Sequence, residues 1–189
     1  MPLLPIDNPH QWFARWIKEA EQSQELEPTA MSLATVGATG RPAVRIVLLK
    51  AFDDKGFVFY TNLTSRKAQE LKASPVAALT FFWKVPGRQV RIEGAVEQVS
   101  DAEADAYFAT RPRGSQIGAW ASEQSQPLES REALKERVLA VEERFRGQEV
   151  RRPPFWSGFR IIPDRFEFWQ AGPFRLHDRW EFVPAQEPG

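Results

Sequence analysis

The sequence predicts a mainly β protein with added helices (α+β), its antiparallel strands closing into a small barrel with helices at the periphery. Three observations predict it. Short apolar stretches follow one another, separated by turn signals at Gly37-Ala-Thr-Gly40, Asp53-Asp-Lys-Gly56 and Pro86-Gly87. Stretches with helical period lie outside this run instead of alternating with it strand for strand. The chain has 189 residues, 12% of them aromatic with 7 Trp and 14 Phe, which is enough to build a core and argues against disorder. A single domain is expected over 1–189, with an N-terminal helical segment at 1–27 and a frayed tail at 184–189.

The elements follow in order. Pro9 to Ser23 reads as a helix: Trp12, Phe13, Trp16, Ile17 and Ala20 recur at helical spacing behind Asn8 and Pro9. That Trp-rich stripe reads as packing. Met31–Val36 and Ala43–Lys50 are strands. Asp53–Gly56 turns the chain into a third, Phe57–Tyr60, so the second and third form a hairpin. Ser65–Ala73 is a short helix capped by Ser65 or Thr64. Val76–Trp83 and Arg88–Val99 are strands about Pro86-Gly87. Ser100-Asp-Ala-Glu103 is a capping box that opens a helix to about Thr110. Ser115–Ala121 and Ser130–Phe145 are further helices, the latter with the stripe Leu134, Val138, Val141 and Phe145. Trp156–Ile162 and Arg165–Gln170 are strands. After Gly172-Pro173 a last strand alternates, placing Arg175, His177 and Arg179 on one face.

Composition excludes several functions. With 25 basic and 25 acidic residues the net charge is +0, so no global field draws the chain to nucleic acid or an anionic membrane. Any phosphate must be held by a local cluster of cations. There is no Cys, which removes disulfides, thiolate nucleophiles and Cys-based metal sites and fits a reducing cytoplasm. The two His, His10 and His177, are too few for a multi-His metal site, and no metal is expected. The start lacks a basic n-region, and no apolar run has the length of a membrane span.

Cations occur where apolar residues would be expected. Arg45 interrupts an apolar strand and needs a carboxylate or an anionic ligand; a salt bridge is the plain alternative. On a flat strand Arg45 and Lys50 face opposite ways, so they share one ligand only if the strand bends. Thr64-Ser-Arg66-Lys67 stands at a helix start, which suits a phosphate, or simply a solvated first turn. Gln89, Arg91 and Glu93 share one strand face. Tyr107 and Arg111 share a helix face, and Ser115 follows a tight bend. Tyr, Arg and Ser together can hold a phosphate, although a helix-end Arg meeting the dipole fits equally. The Arg175, His177 and Arg179 face is either an anion or aromatic-ring site or a charged edge strand. There is no thiol, metal set, Rossmann or P-loop fingerprint, nor Ser-His-Asp order. That pattern favours a bound organic cofactor.

Arg45-Ile-Val-Leu-Leu-Lys50, Phe59-Tyr-Thr-Asn-Leu-Thr-Ser-Arg-Lys67, Arg88-Gln-Val, the run Tyr107–Trp120, Gln124-Ser125, Phe168-Trp-Gln170 and Arg175-Leu-His-Asp-Arg179 resemble the pyridoxine/pyridoxamine 5'-phosphate oxidase family. The resemblance spans about Pro28 to Trp180. It implies an FMN-binding split β-barrel, a homodimer with FMN between subunits. It implies oxidation of pyridoxine or pyridoxamine 5'-phosphate to pyridoxal 5'-phosphate. Oxygen is the acceptor, hydrogen peroxide is released, and the amine also yields ammonia.

By motif, Arg45, Arg66 and Lys67 correspond to the cations on the FMN phosphate. Ile46, Val47, Leu48, Lys50, Tyr60, Thr61, Gln89, Gln124, Ser125, Trp169 and Arg179 correspond to further FMN contacts. Lys50, Tyr107, Arg111 and Ser115 correspond to the substrate-phosphate clamp, and Arg175 and His177 to the catalytic pair over the pyridine ring. Two departures stand out. Ala171 follows Phe-Trp-Gln where the family usually has Gly, and the chain stops at Gly189, so the last barrel strand is expected to be missing or cut short. Two other readings share these residues: a related FMN oxidase on another aromatic acid, such as a phenazine precursor, and a non-catalytic flavin or pyridoxal phosphate carrier.

Overall fold

Asn8 starts the first helix, α1 (Pro9–Glu21), by accepting hydrogen bonds from the backbone N–H groups of His10 and Gln11. Pro9 follows, where its missing N–H costs nothing. The structure is a computed structural model and describes residues 8–184; residues 185–189 of the expected frayed tail lie outside that range. The predicted stripe of α1 is buried: Trp12 stacks on Phe168 with centroids 4.6 Å apart, and Phe13 meets Phe52 and Phe57 edge-on. These rings plug the inside of the sheet, each contributing about 2–3 kcal/mol by leaving water. Glu19, on the same helix, ties it to Arg88, whose guanidinium lies 4.6 Å over the Trp16 ring.

Among the described residues, eight strands form one antiparallel sheet: β1 (Ala30–Val36), β2 (Pro42–Leu48), β3 (Ala51–Asp53), β4 (Gly56–Asn62), β5 (Val76–Trp83), β6 (Arg88–Gln98), β7 (Trp156–Gln170) and β8 (Asp178–Phe182). Their order is β2-β1-β5-β6-β7-β4-β3, with β8 beside β7. Strand β7 is shared lengthwise: its first half pairs with β4 and its last five residues with β8, while β6 runs along its other edge. The ends of the order are joined by two residues. The Leu49 N–H donates to Thr29 O beside β1, and the Lys50 N–H donates to Val58 O on β4. This crossing curls the sheet into a half-barrel.

The crossing corrects two expectations. The strand expected over Ala43–Lys50 stops at Leu48, and its hairpin partner is β1, through Gly37–Gly40, not β4. β4 pairs instead with β3, which has only three residues and so no readable period. A third correction concerns β7, which is one strand of 15 residues where two were expected. Pro163 does not break it because it sits at a bulge. Gly94 faces Pro163 and Glu93 faces Arg165, leaving Asp164 without an opposite residue.

The helices are α2 (Arg66–Ala73), α3 (Asp101–Thr110), α4 (Arg113–Ala121) and α5 (Arg131–Arg144). Ser100 accepts from the Glu103 N–H, but the Glu103 carboxylate accepts from Arg160 and does not close the expected box on the Ser100 N–H. Ser65 holds the cap position of α2 without a side-chain bond; Asn62 Oδ1 instead accepts from the Thr64 N–H and hydroxyl. α4 begins two residues before the expected Ser115. Over the outside of β7, α3, α4 and the end of α5 enclose a second core of Phe108, Ile117, Phe145, Val150 and Trp156.

The stretch after Gly172 departs most from expectation. The final strand starts only at Asp178, and Pro173–Arg175 form a 3-10 turn with Phe174 and Arg175 at φ 56° and 64°. The turn folds back so tightly that a Cβ on Gly172 would lie 1.8 Å from Leu176 O. Arg175 and His177 therefore share no strand face with Arg179.

A Cβ on Gly94 would lie 2.0 Å from Ile162 O, so β6 and β7 can approach at the bulge only through glycine. Gly94→Ala is expected to cost about 3 kcal/mol in urea unfolding, and Asp164→Ala, exposed at the same bulge, less than about 0.5 kcal/mol.

Candidate active site

A cavity of about 490 Å³ opens where the ends of β2 and β4 meet α3 and α4. Ile46, Val47 and Leu48 form one wall. Thr61, Lys67 and Gln124 line one side, and Lys50, Tyr107, Arg111 and Ser115 another. With Tyr60, which also lines it, eleven residues that the motifs single out converge in one place.

The aromatic floor depends on a glycine. Tyr60 faces Gly158 across the β4–β7 ladder, and a Cβ there would lie 2.8 Å from the Tyr60 ring. Without it the ring lies flat, stacked on Tyr107 (4.0 Å, 9°) and on Trp156 (5.2 Å, 6°). Burial, with the nearby charge of Glu103, pushes the Tyr60 hydroxyl up to about 12; burial raises Tyr107 as well. Both are neutral hydrogen-bond donors at neutral pH.

Arg111 ends α3 with its guanidinium 4.8 Å from the Trp156 centroid. Its Nη1 is buried and, among the described residues, has no hydrogen-bond partner. Burial lowers its pKa, yet arginine stays charged. A desolvated, unpaired cation at a cavity wall is a binding site for an anion. Lys67 is the cation of the other side: its Nζ donates to Gln124 Oε1 (2.8 Å) and Thr61 Oγ1 (3.1 Å). Burial and the neighbouring Arg45 charge lower its pKa. Among the described residues, none of Lys50, Lys67 and Arg111 has a carboxylate within ion-pair distance.

Arg45 points from β2 into the curl of the sheet, where its Nη1 donates to Thr35 Oγ1 (2.5 Å) and Leu33 O (3.2 Å). Its Nη2 reaches Glu70 at 3.0 Å, and Arg66 Nε donates to the other Glu70 oxygen at 2.7 Å. The salt bridge left open as an alternative for Arg45 is therefore present. Its partner is a residue that the motifs did not mark.

The other predicted residues lie elsewhere. Gln89, Trp169 and Arg179 stand side by side across β6, β7 and β8. The His177 ring is 4.6 Å from Trp169, and its Nδ1 accepts from the Gly172 N–H. Arg175 is exposed on its turn, and Ser125, also exposed, does not line the cavity. Thr61 pairs near the start of β7 and Trp169 lies near its end, roughly 40 Å of strand apart. The predicted residues thus fall into two separate groups on one chain. Trp156 and Gly158, which shape the cavity, were missed because a strand-start Trp and a strand Gly carry no motif of their own. Asn62 and Ser122 also line it.

Residues 17–145 match the family described as pyridoxamine 5'-phosphate oxidase, over more than half of the chain. The chain belongs to this family. Residues 156–189 match the pyridoxine 5'-phosphate oxidase C-terminal dimerisation region, which contains Trp169, Arg175, His177 and Arg179. The chain is 59% identical over 181 residues to the pyridoxine/pyridoxamine 5'-phosphate oxidase of Myxococcus xanthus, covering 96% of this chain and 87% of that one. It is 58% identical over 183 residues to that of Rhodopseudomonas palustris, covering 95% and 86%. Among solved structures, PhzG from Burkholderia lata, in complex with tetrahydrophenazine-1-carboxylic acid, superposes with a TM-score of 0.90 at 31% identity, covering 97% and 93%. An FMN binding protein of Nostoc punctiforme shares the fold, with a TM-score of 0.68 at 14% identity and coverage of 96% and 100%.

Burial alone would raise the Glu70 carboxyl, but hydrogen bonds from Thr35, Arg66 and Arg45 outweigh it and hold the group below its ordinary 4.5. Its stabilising contribution is therefore complete above pH 4.5 and is lost as pH falls through the lower folded-state value. The melting temperature of the chain is expected to fall more steeply below pH 4.5 than that of Glu70→Gln, in thermal scans across pH.

Proposed function

We propose that this chain is an FMN-dependent oxidase that converts pyridoxine 5'-phosphate or pyridoxamine 5'-phosphate to pyridoxal 5'-phosphate with oxygen as acceptor. The observation that carries the reading is the unpartnered Arg111 guanidinium in a cavity shared with Lys50, Tyr107 and Ser115, with a second cation, Lys67, in the same cavity and the Arg45–Glu70–Arg66 cluster beside Lys67. Two phosphoryl groups need two such sets, and a neutral chain offers them only locally.

In this reading Arg45, Arg66 and Lys67 hold the flavin phosphate, and Tyr60, Thr61 and Gln124 meet the rest of the cofactor. Lys50, Tyr107, Arg111 and Ser115 clamp the substrate phosphate. FMN held there would supply the redox chemistry, accepting the substrate's hydride equivalent with oxygen as the final acceptor. The chain's own work is then to position and to exclude water. Stacked Tyr60, Tyr107 and Trp156 form an apolar wall that strengthens every charge interaction beside it. Gln89, Trp169, Arg175, His177 and Arg179 complete the site from a second copy. The matched dimerisation region and the exposed Val44, Ile46 and Phe82 on the outer sheet face support that assembly. His177 orients the substrate or moves its proton, and Arg175 stabilises charge near the ring.

A second reading, an oxidase of phenazine precursors, has the likeness to PhzG in its favour. The complete phosphate clamp and the much higher identity to the pyridoxine/pyridoxamine 5'-phosphate oxidases favour the first. Oxygen uptake by the purified protein separates them. A yellow protein should oxidise pyridoxine 5'-phosphate and pyridoxamine 5'-phosphate and ignore unphosphorylated pyridoxine. A yellow protein idle with both phosphates would favour the phenazine or carrier reading, and a colourless protein that cannot take up FMN would sink both oxidase readings.

Arg111→Ala is expected to raise KM for the phosphorylated substrate about 100-fold with flavin content unchanged. Arg175→Ala and His177→Ala should lower kcat and leave the flavin bound, whereas Lys67→Ala should weaken FMN itself.

A further inference from the structure

Neither the motifs nor the comparisons single out Glu70. It lies on α2 one turn after Arg66, is only 8% exposed, and has both carboxylate oxygens in use. Oε1 accepts from Arg66 Nε at 2.7 Å; Oε2 accepts from Thr35 Oγ1 at 2.6 Å and from Arg45 Nη2 at 3.0 Å. Gly37 makes room for it, since a Cβ there would lie 3.2 Å from Glu70 Cγ. The two arginines depend on it unequally. Arg45 is also anchored by Leu33 O and Thr35. The Arg66 side chain is 68% exposed, and Glu70 is its one ion-pair partner among the described residues.

We infer that Glu70 is the positioning residue of the flavin-phosphate site: it holds Arg66 in place beside Arg45 and Lys67. The inference rests on the flavin reading above. A free surface arginine samples many rotamers, and each must be given up when a ligand binds. Glu70 imposes that order beforehand. It also lowers the charge of the cluster from three cations to a net two, which matches a phosphate monoester near neutral pH. Repulsion between Glu70 and the ligand is the opposing effect. It is the smaller one, because both oxygens are already covered by two guanidinium groups and a hydroxyl. Each guanidinium keeps further N–H donors for the ligand.

The test is fluorescence titration of the full, flavin-free chain with FMN and with riboflavin, which lacks the phosphate. An amide has one acceptor oxygen and cannot bridge both arginines, so Glu70→Gln should weaken FMN about tenfold and leave riboflavin within about twofold. Arg66→Ala should give a similar loss, and the double variant should bind no more weakly than Arg66→Ala alone. Unchanged or tighter FMN binding by Glu70→Gln, parallel loss of both flavins, or additive losses in the double variant would each overturn the inference. Should Glu70→Gln fail to fold, Arg66→Ala decides alone: its side chain is exposed, and unchanged FMN affinity would refute the role. A wild-type chain that binds FMN no better than riboflavin would remove the flavin reading itself, and this inference with it.

Discussion

The two backbone hydrogen bonds at Leu49 and Lys50 govern this fold. They carry the chain from the β1 edge of the sheet to β4, so that the strands at opposite ends of the order become neighbours. Because the strand stops at Leu48, Arg45 remains on the concave side with Thr35 and Glu70, while Lys50 turns to the cavity beside Tyr107 and Arg111. A straight strand would have set the two cations on opposite faces with nothing to share. The crossing makes them members of two adjacent clusters, which is the arrangement that two separate anions require.

Desolvation decides how these clusters behave. Where a carboxylate is near, it is saturated, as with Glu70. Where none is near, the cation rests on other groups: Arg111 on the Trp156 ring, and Lys67 on the oxygens of Thr61 and Gln124. Stability alone would not favour leaving a guanidinium nitrogen buried and unpaired. The second core of α3, α4 and α5 holds that costly group in place by packing around Trp156.

Much of this was legible in the sequence. The helical period of α1, the apolar runs of β1 and β5, the alternation of β6 and the Ser100 cap of α3 rest on local residue types, and each appears where its pattern lies. The failures have physical causes. A three-residue β3 has no period, and a bulge absorbs Pro163 instead of ending the strand. The turn at Gly172 places Arg175 in the left-handed region, which alternation cannot foresee. Within the site, most cavity residues were found by motif, whereas Trp156, Glu70 and Gly158 were not. The roles of the last two come from partners distant in sequence: Arg45 and Thr35 for Glu70, Tyr60 for Gly158. The separation of the two groups of predicted residues along β7 is also a property of register, which no single motif encodes.

That separation has a thermodynamic consequence. A molecule that must touch Lys67 at one end of β7 and Trp169 at the other cannot be gripped by one copy. Its apparent affinity then contains the monomer–dimer equilibrium, and each bound molecule holds a pair of subunits together. Diluting the protein would act as a competitor does, emptying the site without touching a single side chain in it.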